Sequence, residues 1–289
     1  LGDVYKRQVW GLSNELHQMT DEIFGLYSEL YEIACKEDDT RLKTFADNQF
    51  YGRFLELPAD VVGYNRYFGW YKEAGSAENF GEWLDLYHNE KEKRPVCLSE
   101  YGGGGAISQH KDNVDWESDI DPVGVRHYEN YQSQLHEILW KQFSVRKYLW
   151  AEFIWCMFDF ASYGRTEGDT KSLNDKGLCT RERIPKDVYF FYRSVWSSEK
   201  TVYITERRHE FRACDVPFVK VYSNADAVEL CINDVSHGRI SRCELPNDES
   251  TVFVWENIKI KPDTKNKICA KAYFSDRTSR TDYAFWTGK

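Results

Sequence analysis

Arg94–Gly105, RPVCLSEYGGGG, is the stretch on which the fold reading turns. A charged, turn-prone run, Asn89-Glu90-Lys91-Glu92-Lys93, gives way to Pro95-Val96-Cys97-Leu98-Ser99, a short apolar strand candidate. Glu100 stands where that strand ends, followed by Tyr101 and four glycines. A charge at the end of a buried strand is costly unless it is paired or used. Glycines after it let the backbone take conformations closed to other residues and approach a ligand closely. The plainer alternative is a glycine turn after a strand with a surface glutamate.

Working outward, the same strand-then-polar pattern recurs. Val9-Trp10-Gly11-Leu12 runs into Ser13-Asn14-Glu15, and Thr40–Ala46 alternates like a strand. Ala59–Asn65 is a further strand, followed by the aromatic loop Tyr67-Phe68-Gly69-Trp70-Tyr71. Tyr148–Phe160 is apolar almost throughout and predicts a fully buried strand. Between these lie helical spacings: Leu16 to Ala34, Phe80 to His88, and Val125 to Arg146 with Tyr128, Tyr131, Leu135, Ile138 and Leu139 on one face. Lys186–Val195 predicts a last helix, and 112–124 and 164–177 read as loops. Strands alternating with helices predict a parallel α/β arrangement, either an open sheet or part of a barrel. Polar groups at strand C-terminal ends (Asn14, Glu15, Asp47, Tyr64, Asn65, Glu100, Trp155, Asp159) suit a barrel mouth, where catalytic groups gather. No GxGxxG spacing marks a nucleotide loop.

After Trp196 the texture changes. Val219–Tyr222, Val228–Ile232, Val252–Trp255 and Ile268–Ala272 are short alternating runs separated by turns such as Ser223-Asn224-Ala225-Asp226 and Pro246-Asn247-Asp248. That pattern predicts a small β-sandwich of immunoglobulin-like size. The boundary falls at Ser197-Ser198-Glu199, so residues 9–198 form the α/β part and 199–289 the sandwich.

The 289 residues carry a net charge of -9 and no long basic stretch, which argues against nucleic-acid or anionic-membrane binding. No apolar run is long enough for a membrane span. The eight cysteines show no CxxC pair or metal-ligand spacing; buried free thiols are the default reading, with a disulfide the open alternative that nothing in the sequence demands. Aromatic content of 16% serves a core, and also suits a sugar site, where ring faces stack on C–H-rich pyranose faces. Residue 1 is Leu, and Asp3-Val4-Tyr5-Lys6-Arg7-Gln8 is similar to a translated sequencing adapter. Residues 1–8 are therefore expected to be foreign to the gene, and localisation is left unassigned.

Glu15 and Glu100 are two strand-end carboxylates, three βα units apart in this reading. Glycoside hydrolysis uses such a pair flanking the scissile bond. Here a resemblance becomes specific. Trp10-Gly11-Leu12-Ser13-Asn14-Glu15 resembles the acid/base motif on the fourth barrel strand of family 2 glycoside hydrolases. Leu98-Ser99-Glu100-Tyr101-Gly102 resembles their nucleophile motif on the seventh. Asn65–Tyr71 is similar to the loop after the sixth strand, Phe153–Phe160 to the eighth strand, and Asn174–Leu178 with Arg183–Lys186 to the segment beyond it. The order and separation of these motifs make the likeness stronger than any one of them. It implies a partial (β/α)₈ TIM barrel, strands four to eight, followed by an immunoglobulin-like domain, with the first three strands outside this chain.

By that resemblance Glu100 is the nucleophile and Glu15 the acid/base of a retaining mechanism. Asn14 is implied to bond the sugar 2-hydroxyl, Tyr101 and Tyr64 to orient Glu100, and Trp155 to wall the pocket; Asn65 joins the binding set. Core packing is the alternative for Tyr64 and Trp155. Asn174 and Lys176 resemble the carboxylate clamp of the family's β-glucuronidases, while the longer stretch from Phe158 to Gly177 looks more like its β-galactosidases. A β-galactoside oligosaccharide or glycan is therefore the expected substrate, with a β-glucuronide second and a non-catalytic fragment the reading from another class. The chemistry implied requires no cofactor and leaves room for a bound Mg or Na ion, and an oligomer is compatible with it.

Overall fold

The computed structural model describes residues 8–49, 51–246 and 250–289. Residues 1–7 of the segment expected to be foreign lie outside this set, as do Asn247 and Asp248 of one expected turn. The described chain groups into two compact units, one of residues up to Gly103 with Ile138–Cys156, the other of Gly104–Glu137 with Met157–Lys289.

The first unit is built on β1 (Val9–Asn14), α1 (Asp21–Glu37), β2 (Leu42–Asp47), β3 (Val62–Asn65), α2 (Phe80–Glu90), β4 (Val96–Tyr101) and β5 (Leu149–Ile154). The strands form one sheet in chain order, β1-β2-β3-β4-β5, and every pairing is parallel. Parallel neighbours require crossovers, and strands that succeed one another around the sheet in chain order are the winding of a (β/α)₈ barrel. The fold is thus a partial TIM barrel. β1 ends the sheet, with β2 as its paired neighbour among the described strands.

Local chemistry sets the element ends. Thr20 caps α1 by accepting from the Ile23 amide at 3.2 Å, while Asp21 and Glu22 sit at the positive end of the helix dipole and Lys36 at the negative end. The predicted start near Leu16 is therefore too early. Tyr27 is the buried residue of α1 and meets Phe45 edge-on at 6.0 Å; Leu26 and Ile33 are exposed. Phe68, Phe80, Trp83 and Phe143 form an aromatic cluster, with Phe68 and Phe80 stacked at 4.4 Å.

β5 corrects one expectation. The apolar run does not continue as a strand to Phe160, and of Leu149–Ile154 only Leu149 is buried, with Phe153 exposed. An apolar run specifies low polarity, not that both faces are covered.

In the second unit, α3 is a single turn (Trp116–Asp119) inside the expected loop, and α4 (Glu129–Phe143) begins there. β6 (Phe160–Ala161) and β7 (Leu173–Asn174) pair antiparallel, and α5 (Asp187–Trp196) follows. The sandwich comprises β8 (Val202–Ile204), β9 (Phe211–Arg212), β10 (Asp215–Ser223), β11 (Ala227–Ile232), β12 (Val235–Ser241), β13 (Val252–Lys259), β14 (Lys265–Tyr273) and β15 (Ser279–Gly288). These make two sheets, β13-β10-β8 and β12-β11-β14-β15-β9. Val219, Val221, Phe253 and Trp255 from one sheet share a core with Val228, Leu230, Ile268, Ala270 and Trp286 from the other. β12 escapes the sequence reading because most of it is exposed, so its sequence carries no alternation.

Candidate active site

Each carboxylate lies at an irregularity of the first unit's sheet. β1 pairs Gly11 with Thr44 but Asn14 with Ala46, so a residue is gained in β1 just before Glu15. β4 pairs Leu98 with Tyr64 but Glu100 with Asn65, so a residue is gained just before Glu100. Such bulges re-aim side chains and cluster beside active sites. Glu15 also has φ of 50°, the left-handed region that a branched or long side chain seldom adopts, and its amide is held on the Ala46 carbonyl at 2.9 Å. Backbone held this way is often found where a side chain must be aimed.

Asn65 ties the two strand ends together. It is buried, and its Nδ2 donates to Oδ1 of Asn14 at 3.0 Å and to Oε1 of Glu15 at 2.9 Å. Its Oδ1 accepts from the Ser99 hydroxyl at 2.7 Å. Glu100 accepts from the phenol of Tyr67 at 2.6 Å, and the Glu100 carbonyl accepts from the Arg66 amide at 2.9 Å. Burial, then the charge and hydrogen bond of Glu100, then the charge of Glu15 among lesser causes, hold the Tyr67 phenol protonated well beyond its ordinary range. A phenol so held is a donor to the carboxylate.

Strand alternation explains where the other expected residues go. Asn65 points toward Glu15, so Tyr64 beside it points the opposite way. Its hydroxyl lies 3.1 Å from Glu92 Oε2, to which it donates, and 3.2 Å from the Tyr87 hydroxyl, while its ring packs edge-on against Tyr87. Tyr101, next to Glu100, is fully buried with its ring edge-on to Phe143 at 5.0 Å. Tyr67 supplies a phenol to Glu100, a partner that the expectation of Tyr64 and Tyr101 did not include. Tyr67 opens the aromatic loop, two residues past Asn65, and that spacing was its available signal. Trp155 is half-buried, its amide on the Tyr101 carbonyl at 3.0 Å, and the Trp155–Cys156 peptide is cis.

Asn174 and Lys176 belong to the second unit. Both are buried, and Asn174 Oδ1 accepts from the Lys176 amide at 3.1 Å. Between them Asp175 accepts from His127 Nδ1 at 2.7 Å, which holds its carboxyl below the usual range despite burial. Lys186, fully buried, donates to Asp159 at 2.8 Å and to the Asp175 carbonyl at 2.7 Å.

Asp112, Glu206 and His209 place one ligand atom each within 4.8 Å of one another. Their fit to a cation is poor: Nη2 of Arg212 already stands 2.9 Å from Glu206 and also bonds Asp112, supplying the positive charge itself. No helix among the described residues is long and apolar enough to cross a membrane.

The sequence pattern of the glycosyl hydrolases family 2 TIM barrel domain matches residues 8–201, and a pattern described as a domain of unknown function matches residues 216–278. A β-glucuronidase of Bacteroides fragilis is 35% identical over 253 residues, 87% of this chain and 35% of its own length. Human β-glucuronidase is 29% identical over 198 residues, 64% of this chain and 28% of its own. Among solved structures, an FMN-binding β-glucuronidase from Faecalibacterium prausnitzii L2-6 superposes with a TM-score of 0.83 at 31% identity, covering 97% of this chain and 41% of that one. A putative β-galactosidase from Bacteroides fragilis gives 0.85 at 28% identity with the same coverage. The chain thus spans about a third of the length of the curated relatives it matches.

Proposed function

This chain belongs to glycoside hydrolase family 2, and from that premise we propose that it carries the two catalytic carboxylates of a retaining β-glycosidase. Glu100 attacks the anomeric carbon and Glu15 protonates the leaving oxygen; Glu15 then deprotonates the water that hydrolyses the glycosyl-enzyme intermediate. The observation that carries this reading is the shared frame: Asn65 bonds Glu15 and Asn14 while the adjoining loop's Tyr67 bonds Glu100. Asn14, with its carbonyl oxygen on Asn65, is left with an NH₂ to offer a sugar hydroxyl. Trp155 is proposed as a pocket wall. The reading needs no cofactor; the FMN named for one solved relative plays no part in it, and the chemistry is compatible with a monomer or an oligomer.

For the substrate we propose a β-glucuronide ahead of the β-galactoside that the Phe158–Gly177 stretch favours. Its support is the Asn174-x-Lys176 pattern together with the curated relatives named β-glucuronidase; a buried lysine suits pairing with a uronate carboxylate. The solved putative β-galactosidase supports the second reading. Residues 9–198 are proposed as the barrel part and 199–289 as the appended sandwich.

The test is substitution in the full-length gene product. Glu100→Gln should lose hydrolysis for every leaving group. Glu15→Ala should retain more of its first step on activated aryl glycosides than on alkyl ones, and azide should restore turnover as a β-glycosyl azide. General acid/base catalysis contributes roughly 10²–10⁴-fold, so the contrast is measurable. Identical leaving-group dependence in both variants, with no azide rescue, would refute the assignment.

A further inference from the structure

An amide has two unlike ends, and a buried asparagine works only if something decides which end faces which partner. In Asn65 the decision is made on one side. Its Nδ2 meets two acceptors, Asn14 Oδ1 and Glu15 Oε1, while its Oδ1 meets the Ser99 hydroxyl. With the amide reversed, an oxygen would face both of those oxygens. Ser99 is the residue that the β4 bulge inserts before Glu100. The place it occupies is kept open by Gly63: a Cβ there would lie 2.7 Å from Ser99 Oγ and 2.9 Å from its Cβ.

We propose that Ser99 is a positioning residue: the Glu15 carboxylate sets which end of the Asn65 amide faces it, and the Ser99 hydroxyl, bonded to Oδ1, holds the amide there, with Gly63 providing the space. The relay has a second consequence. Because Asn14 Oδ1 is engaged by Asn65, Asn14 is fixed in the orientation that turns its own NH₂ outward, as a donor toward a substrate hydroxyl. Ser99 touches neither substrate nor reacting atoms; it acts on both ends of the site through one amide. This inference rests on the retaining-glycosidase reading for its effect on turnover, but not for its effect on Asn65.

Three variants test it: Ser99→Ala removes the hydroxyl, Ser99→Thr keeps one, and Gly63→Ala displaces it. The first readout needs no activity. In ¹⁵N spectra of this chain, with the Asn65 side-chain amide assigned by its loss in Asn65→Ser, hydrogen exchange of that NH₂ should quicken roughly tenfold in Ser99→Ala and in Gly63→Ala. Ser99→Thr should exchange like the parent. The second readout is kinetic, in the full-length product on aryl glycosides: kcat should fall roughly tenfold or more with KM changed far less, because the Asn14 contact strengthens at the transition state. If the parent hydrolyses no β-glycoside, the functional reading fails while the amide readout still decides the role of Ser99. Ser99→Ala with parent-like Asn65 signals overturns the proposal, including the case where urea unfolding shows lowered stability alone. Where Ser99→Ala fails to fold, Gly63→Ala decides in its place: quickened Asn65 exchange supports the proposal, and parent-like exchange overturns it.

Discussion

The phenol of Tyr67 donates to Oε2 of Glu100 at 2.6 Å, so the proposed nucleophile takes a hydrogen bond from a loop residue that follows β3. Charge-assisted bonds of this length are among the stronger ones. Tyr67→Phe should keep the fold and lower kcat/KM by roughly 10–100-fold, the equivalent of losing one hydrogen bond to a charge. Steady-state kinetics with an aryl glycoside checks it. A loss under twofold would show that Glu100 needs no such partner.

The carboxyl groups of Glu15 and Glu100 are expected to lie about 5–5.5 Å apart in the full-length enzyme, the separation of retaining glycosidases. Proton NMR of the first-formed sugar should show the substrate's anomeric configuration. An inverted product would sink the double-displacement reading.

Lys176→Ala should discriminate between substrates. If the lysine pairs with a uronate, kcat/KM for an aryl glucuronide should fall by at least about tenfold, with little change for the matching galactoside. Equal losses on both would assign Lys176 to architecture, and a loss on the galactoside alone would restore the galactosidase reading.

Glu92 is buried among Arg94 and Tyr64. Burial pushes its carboxyl up, yet the Arg94 hydrogen bonds and charge hold it net below its ordinary range. Arg94 further donates to the carbonyls of Leu55 and Leu57. Arg94→Met leaves that carboxylate buried without its cation and should destabilise by about 3–5 kcal/mol at neutral pH. Urea unfolding at pH 7 measures it; a change below about 1 kcal/mol would mean the pair is solvated.

His136 is fully buried with Nδ1 bonded to the Tyr192 hydroxyl at 2.9 Å, and burial, then the Lys186 charge, push its pKa down to about 3. The unfolded chain takes up this proton near pH 6.5 and the folded one does not. The stability it contributes is therefore present above about 6.5 and is lost as pH falls toward 3. Between pH 6 and 4 the parent should lose up to about 1.4 kcal/mol per pH unit more than His136→Gln. Parallel stability–pH curves for the two proteins would mean that His136 titrates in the folded state.

What the sequence determined by itself was the order of strands and helices along the parallel sheet and which two strand-end carboxylates, Glu15 and Glu100, stand as the proposed pair. Both are properties of local order: apolar runs ending in polar groups, and motifs such as Ser13-Asn14-Glu15 and Leu98-Ser99-Glu100 in fixed succession. Facing was beyond it. In a strand the side-chain period is two, so a single inserted residue reverses which neighbours share a face. Ser99 enters the site beside Glu100 because of the bulge in β4, while Tyr101 turns from Glu100 and Tyr64 from Asn65 by the ordinary alternation of a strand. β12 and the polar half of β15 likewise exist as strands because β11 and β14 supply hydrogen-bonding edges, not because their own residues alternate. Pairing partners lie far along the chain, and which of them meet is decided by packing and hydrogen-bond satisfaction in the folded protein.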